Sequence, residues 1–150
     1  MESRQAMAAL ALALMTLAVA GARAQDHEAL LDPYFRIHAS LSADRLDGVA
    51  ADASAIARQA GTMGEAGQPM KAAASDLSAA KDLDGARSAF GRLSDALIAW
   101  ADDTEAGLGP GVVMYCSMAK KSWVQKDDAV KNPYYGSAML TCGEKKKRSS

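Results

Sequence analysis

The residues best equipped for chemistry lie in two short stretches, Val112-Val-Met-Tyr-Cys-Ser-Met118 and Asn132-Pro-Tyr-Tyr-Gly-Ser-Ala-Met-Leu-Thr-Cys-Gly143. Between them they hold both cysteines of the chain, Cys116 and Cys142, and three methionines, Met114, Met118 and Met139. The first stretch is β-branched and apolar, bounded by Gly111 and the pair Lys120-Lys121, which predicts an extended strand. Alternate residues of a strand share a face, so Val112, Met114, Cys116 and Met118 would point one way and Val113, Tyr115 and Ser117 the other. In the second stretch Asn132-Pro133 and Tyr135-Gly136 predict turns. A short helical turn after them would bring Met139 and Cys142, three apart, onto one side. Two pairs of one thiol and one thioether could then converge. Soft sulfur donors without clustered histidine or carboxylate select Cu(I) or Ag(I) and disfavour hard cations. A zinc site would call for histidine or further cysteines close by. The same residues also suit a plainer role, with the methionines filling a core and Cys116 and Cys142 forming a disulfide. That bond would close a loop of about 26 residues, worth about 3.5 kcal/mol on the chain-entropy model. Residue types and spacing leave both roles open.

The chain has 150 residues, 49% of them apolar but only 5% aromatic, with two Cys, two His and a formal net charge of −1. This length supports one domain, and so small a charge provides no footprint for nucleic acid. Two cysteines cannot build a disulfide-rich miniprotein or a four-thiolate zinc site. Residues 1–5 carry Arg4, an apolar run from Ala6 to Ala20 follows, and Ala22-Arg23-Ala24 supplies a small-x-small cleavage pattern. This predicts a secretory signal peptide over residues 1–24. The uncharged run is short for a bilayer that needs about 20 apolar residues. The remaining chain, residues 25–150, is expected to be a soluble periplasmic protein with no membrane attachment, in an oxidising compartment that allows disulfides.

A charge shift divides that remainder. Residues 25–111 carry seven Lys/Arg against fourteen Asp/Glu, and residues 112–150 carry eight against three. The break falls at Gly107-Leu-Gly-Pro-Gly111, and 39 residues are too few for an independent core. The expectation is one domain, with a helical part over about 26–104, a Cys/Met-bearing cap over about 111–143 and a basic tail over 144–150.

The acidic part must position the cap, and its periodicity is helical. Asp32-Pro33 predicts a cap and first helical residue, followed by Tyr34, Ile37, His38 and Leu41 on one face. A restart at Ser42 or Asp44 leads into Leu46, Val49, Ala53, Ile56 and Ala60 at three- and four-residue steps. Gly61 to Gly67, with three glycines, predicts a turn. Pro69 opens a third helix through Met70, Ala73, Ala74 and Leu77. A fourth begins near Asp82, where Leu83, Ala86, Phe90, Leu93, Leu97 and Trp100 form a seam for a partner helix. The predicted class is mainly α, an antiparallel four-helix bundle with a small C-terminal cap containing a short β-strand and turns. His27 and His38 stand alone. No Ser/His/Asp or Cys/His set, nucleophile elbow or phosphate loop is present, so no enzyme is expected.

The segments Tyr115-Cys-Ser-Met-Ala119, Ser122-Trp-Val-Gln125, Lys131-Asn-Pro-Tyr-Tyr-Gly136 and Met139-Leu-Thr-Cys-Gly143 resemble the C-terminal signature of a bacterial family of exported domains of unknown function. That signature runs Tyr-Cys-Pro-Met-Ala, Trp-Leu, Asn-Pro-Tyr-Tyr/Phe-Gly and Met-Leu-x-Cys-Gly. The helical part is similar too, through Tyr34-Phe35 to Ala53 and through the Phe-x-x-Leu-Ser-x-Ala-Leu-Ile pattern at Phe90 to Ile98. Members are small exported proteins or the C-terminal module of periplasmic adaptor subunits in heavy-metal (copper/silver) efflux pumps. Ser117 departs from the family's proline and relaxes the turn after Cys116 while leaving every sulfur in place.

The resemblance implies a heavy-metal context but no established activity; together with the sulfur residues it leads to the expectation of a periplasmic soft-metal binding or transfer protein associated with heavy-metal efflux or homeostasis. Cys116 and Cys142 would be thiolate ligands for Cu(I) or Ag(I), Met118 and Met139 thioether ligands and Met114 a spare, and an envelope efflux-pump adaptor would be the partner. The alternative is a structural or interaction module of the cell envelope, pinned by a Cys116–Cys142 disulfide.

Overall fold

A computed structural model describes residues 27–104 and 106–147. The expected leader over residues 1–24 lies outside them, as do the last three residues of the tail. The described chain is mainly helical, with four α-helices followed by a small three-stranded antiparallel sheet.

The first helix, α1, is helical from residue 27, the first one described, to residue 42. Asp32-Pro33 therefore lies within it and is not its start. Proline inside a helix forfeits a backbone bond, but Leu30 and Leu31 just before it are almost fully buried. Burying each is worth about 1.5–3 kcal/mol, enough to hold the extra turn. The second helix, α2 (Val49–Gly61), starts later than Ser42 or Asp44. Asp44 sits in a left-handed conformation (φ 56°) that ends any helix there. A 3-10 turn, Gly64–Gly67, leads into α3 (Gln68–Ala79) with proline in its first turn. The longest helix, α4 (Leu83–Asp103), opens where Asp82 accepts a bond from the Gly85 N–H at 2.7 Å, as the pattern predicts.

Helix α2 packs on α3, α3 on α4, and α4 on the sheet. The contact faces alternate small and large residues: Ala53 and Ala60 with Ile56 on α2, Ala73 and Ala74 with Met70 and Leu77 on α3, and Ala86 and Ala89 with Phe90, Leu93 and Leu97 on α4. Alanine lets helix axes approach, and the larger side chains fill what space remains. Tyr34 of α1 stacks on Phe90 with ring centroids 4.9 Å apart. The predicted seam position Trp100 is half-buried and tilts against His27, whose ring is 3.1 Å from the Gly107 carbonyl.

The cap holds three strands where the sequence suggested one: β1 (Val112–Cys116), β2 (Lys121–Gln125) and β3 (Glu144–Lys145), in the order β2-β1-β3. Val113 faces Val124 and Met114 faces Trp123 across the hairpin; Tyr115 faces Glu144 on the other side. The start of the predicted tail is thus drawn into the sheet. Tyr34 ties β2 to the helices, accepting from the Val124 N–H at 3.0 Å and sharing a 2.6 Å bond with Ser94 Oγ, which donates to the Phe90 carbonyl at 2.8 Å.

Cap and helices are also joined by a polar clamp. Arg87 of α4 donates to Asp44 at 2.5 Å, to the Leu41 carbonyl at 3.1 Å and to the Pro133 carbonyl at 2.9 Å. Asp44 accepts in addition from the Ser137 N–H at 3.0 Å. Hydrogen bonds from Ser137, and then from Arg87, hold its carboxyl down at about 2. Gly136 makes room for this, since at φ 54° a Cβ there would lie 1.9 Å from the Asp44 oxygen.

Candidate functional site

Cys116 is the last residue of β1 and is fully buried. Cys142, half-buried, lies two residues before β3. The pairing of β3 with β1 closes the intervening segment back on itself and sets the two Sγ atoms 2.9 Å apart. The chain turns sharply after Cys116, so that the Ala119 N–H points at Cys116 Sγ from 3.4 Å. Burial pushes the Cys116 thiol up, but hydrogen bonds from Cys142, Ala119, Met118 and Asn132 together outweigh it and bring the thiol below its ordinary range. Cys142 is held above its ordinary range, first because it donates to Cys116, then by burial and by the neighbouring charge. The pair thus has a built-in order: Cys116 is the more acidic of the two and Cys142 the less.

The turn that faces Cys116 also changes the place of Met118. The strand ends at Cys116, so Met118 is on the turn and not on the strand face with Met114. It is 61% exposed and borders a hollow with Ala119, Tyr135 and Arg87. Met114 is completely buried in the hydrophobic core opposite Trp123. Met139 is half-buried at the end of a 3-10 turn, Gly136–Ala138, and its carbonyl accepts from the Cys142 N–H at 3.0 Å. The structure therefore brings the two thiols together, keeps Met118 and Met139 near them in sequence on turns, and places Met114 as core. Among the described residues no group of three or more His, Cys, Asp or Glu could hold a metal ion.

One organising residue was not singled out from the sequence. Asn132 is fully buried, donates from Nδ2 to the Cys142 carbonyl at 2.7 Å, and accepts at Oδ1 from the backbone N–H of Tyr134 (2.8 Å) and Tyr135 (3.2 Å). Its own N–H donates to the Leu140 carbonyl at 2.7 Å. The Asn-Pro pair signalled a turn, and asparagine's habit of bonding nearby backbone was the available clue. Gly143 completes the arrangement, because a Cβ there would lie 2.6 Å from the Trp123 ring.

His38 is buried, with Nε2 2.8 Å from the Lys131 carbonyl, and burial lowers its basicity. It is no part of the sulfur cluster. Among the described residues no helix is long and apolar enough to cross a membrane. Comparison with protein-family models, with curated proteins and with solved structures gives no match.

Proposed function

We propose that this protein is a periplasmic soft-metal protein that binds or transfers Cu(I) or Ag(I) in heavy-metal efflux or homeostasis, with an efflux-pump adaptor as partner. The helices, read as an antiparallel four-helix bundle, serve as scaffold, and no catalytic role is assigned. The observation that carries this reading is the convergence of the Cys116 and Cys142 sulfurs to 2.9 Å, one of them receiving a backbone N–H. Such donors stabilise a thiolate, the form that binds metal. Thiolate–metal bonds of about 2.3 Å, as for zinc, place two sulfurs of a tetrahedral site about 3.8 Å apart. An ion therefore requires the pair to open by about 1 Å. Cys142, on a half-buried turn, is the member able to move. Met118 and Met139 would complete the coordination, and a mostly exposed Met118 suits transfer to a partner.

The same proximity, with Cys116 wholly enclosed, favours a second reading: a Cys116–Cys142 disulfide that pins the cap of an envelope interaction module. Intact mass of the exported protein, alkylated with and without reductant, separates the two. Free thiols, followed by anaerobic Cu(I) titration against a competing chelator that saturates near one equivalent, support the metal site. Weaker binding in Met118→Leu/Met139→Leu then assigns the thioethers. A disulfide that resists reduction in the folded protein overturns the metal reading and leaves the structural one.

A further inference from the structure

A cavity of about 520 Å³ opens between the C-terminal half of α1, the end of β2 and the loops around residues 126–131 and 137–140. Its volume is that of a small-molecule site, and its walls include Phe35, Ala39, Ala43 and Leu140. Leu140 is 37% exposed, one of two large apolar side chains left open among the described residues.

Two polar features give this apolar space a chemical preference. His38 lines the cavity while only 6% exposed. Its Nε2 faces the Lys131 carbonyl at 2.8 Å and Ser42 Oγ at 3.3 Å; the Ser42 hydroxyl donates to the same carbonyl at 3.2 Å, and a carbonyl can only accept, so Nε2 carries the proton. Burial lowers its basicity and so favours the neutral ring, in which Nδ1 is the unprotonated acceptor. No protein group among the described residues bonds Nδ1, yet no enclosed side-chain nitrogen or oxygen there lacks a partner. Nδ1 is therefore reached from the cavity and is free to accept from an occupant.

The second feature is charge. Lys131 is bonded to Asp127 at 3.5 Å, and Asp44 to Arg87 at 2.5 Å. Lys126 also lines the cavity, with its ammonium 5.0 Å from the Phe35 ring centroid and no carboxylate partner among the described residues. The uncompensated charge beside the apolar wall is positive.

We propose that this cavity binds a small aromatic hydroxy acid, with its ring on Ala39, Ala43 and Leu140, its hydroxyl donating to His38 Nδ1 and its carboxylate at Lys126. The site is separate from the dithiol and does not depend on what Cys116 and Cys142 do.

The test uses the whole exported protein and the fluorescent probe 6-hydroxy-2-naphthoate, whose hydroxyl is remote from its carboxylate, with 2-naphthoate and 2-naphthol as controls lacking one group each. The probe is expected to bind saturably with a Kd below about 1 mM. Loss of the hydroxyl should weaken binding about two- to tenfold, the range for one hydrogen bond. Lys126→Ala should weaken the probe about two- to fivefold, the range for an exposed charge, and should leave 2-naphthol unaffected. Ala39 is exposed on α1, so Ala39→Trp fills the cavity without disturbing the core. That variant should melt like the parent and bind at least tenfold more weakly. No saturable binding at millimolar probe, equal binding of 2-naphthoate, or unchanged binding to Ala39→Trp each overturns the proposal.

Discussion

Replacing Tyr34 by phenylalanine deletes one oxygen atom from the junction between the helices and the sheet. The direction of every bond there is fixed. The Val124 N–H can only donate, so the Tyr34 oxygen accepts it; the Phe90 carbonyl can only accept, so Ser94 donates to it. The Tyr34 hydroxyl must therefore donate to Ser94. Burial raises the phenol well above its ordinary range, so that proton stays in place at neutral pH. Phenylalanine has the same shape in a fully enclosed site, and packing changes little. What is lost is the partner of a buried backbone N–H, at about 1–3 kcal/mol. We expect Tyr34→Phe to cost about 2 kcal/mol and Ser94→Ala about 1 kcal/mol, since Tyr34 then keeps its bond to Val124. The double variant should cost about 2 kcal/mol and not the sum, a coupling of about 1 kcal/mol. Urea unfolding reads this as a fall of about 1 M in midpoint for Tyr34→Phe at unchanged slope. A loss below about 0.5 kcal/mol, or strict additivity, refutes the relay.

Two further perturbations probe the clamp between cap and helices. Gly136→Ala should cost about 2–4 kcal/mol in the same urea assay, combining left-handed backbone strain with displacement of Asp44 by a Cβ 1.9 Å away; a cost under about 1 kcal/mol would mean the clamp yields freely. Asp44, held at about 2 in the folded protein against an ordinary 3.8, contributes stability that is complete above the ordinary value and is lost as pH falls through about 2. Asp44→Asn should therefore lower the unfolding midpoint at about pH 6 and converge with the parent near pH 2. A gap that stays constant over that range would assign the effect to packing.

The helical part was legible because its information is local. Asp82 caps α4 as its residue type predicts, and the apolar steps of α2, α3 and α4 are those that the structure buries. The start of α1 was misplaced because Leu30 and Leu31 outweigh the usual meaning of Asp-Pro, which is a tertiary effect. The pairing of Cys116 with Cys142 was readable as a candidate from residue type alone. Its geometry was not, because the closure depends on Glu144 pairing with Tyr115, and a short charged segment carries no strand signal. Met118 was assigned to the strand face by alternation, which ended two residues earlier than its composition suggested. Asn132 and Gly136 were legible only as turn residues, because their partners, Cys142 and Asp44, are set by folding and not by spacing.

The strand order has a consequence for how the chain assembles. The middle strand, β1, carries Cys116, but one of its neighbours, β3, follows every other described element in chain order. A chain emerging from its N-terminal end completes the helices and the β1–β2 hairpin first, while Cys116 is still without its counterpart. During that interval its thiol is open to mispairing with any other sulfur nearby. The arrival of β3 shields it and supplies Cys142 in the same step. A chain that ended before Cys142 would lack both the third strand and the counterpart of Cys116.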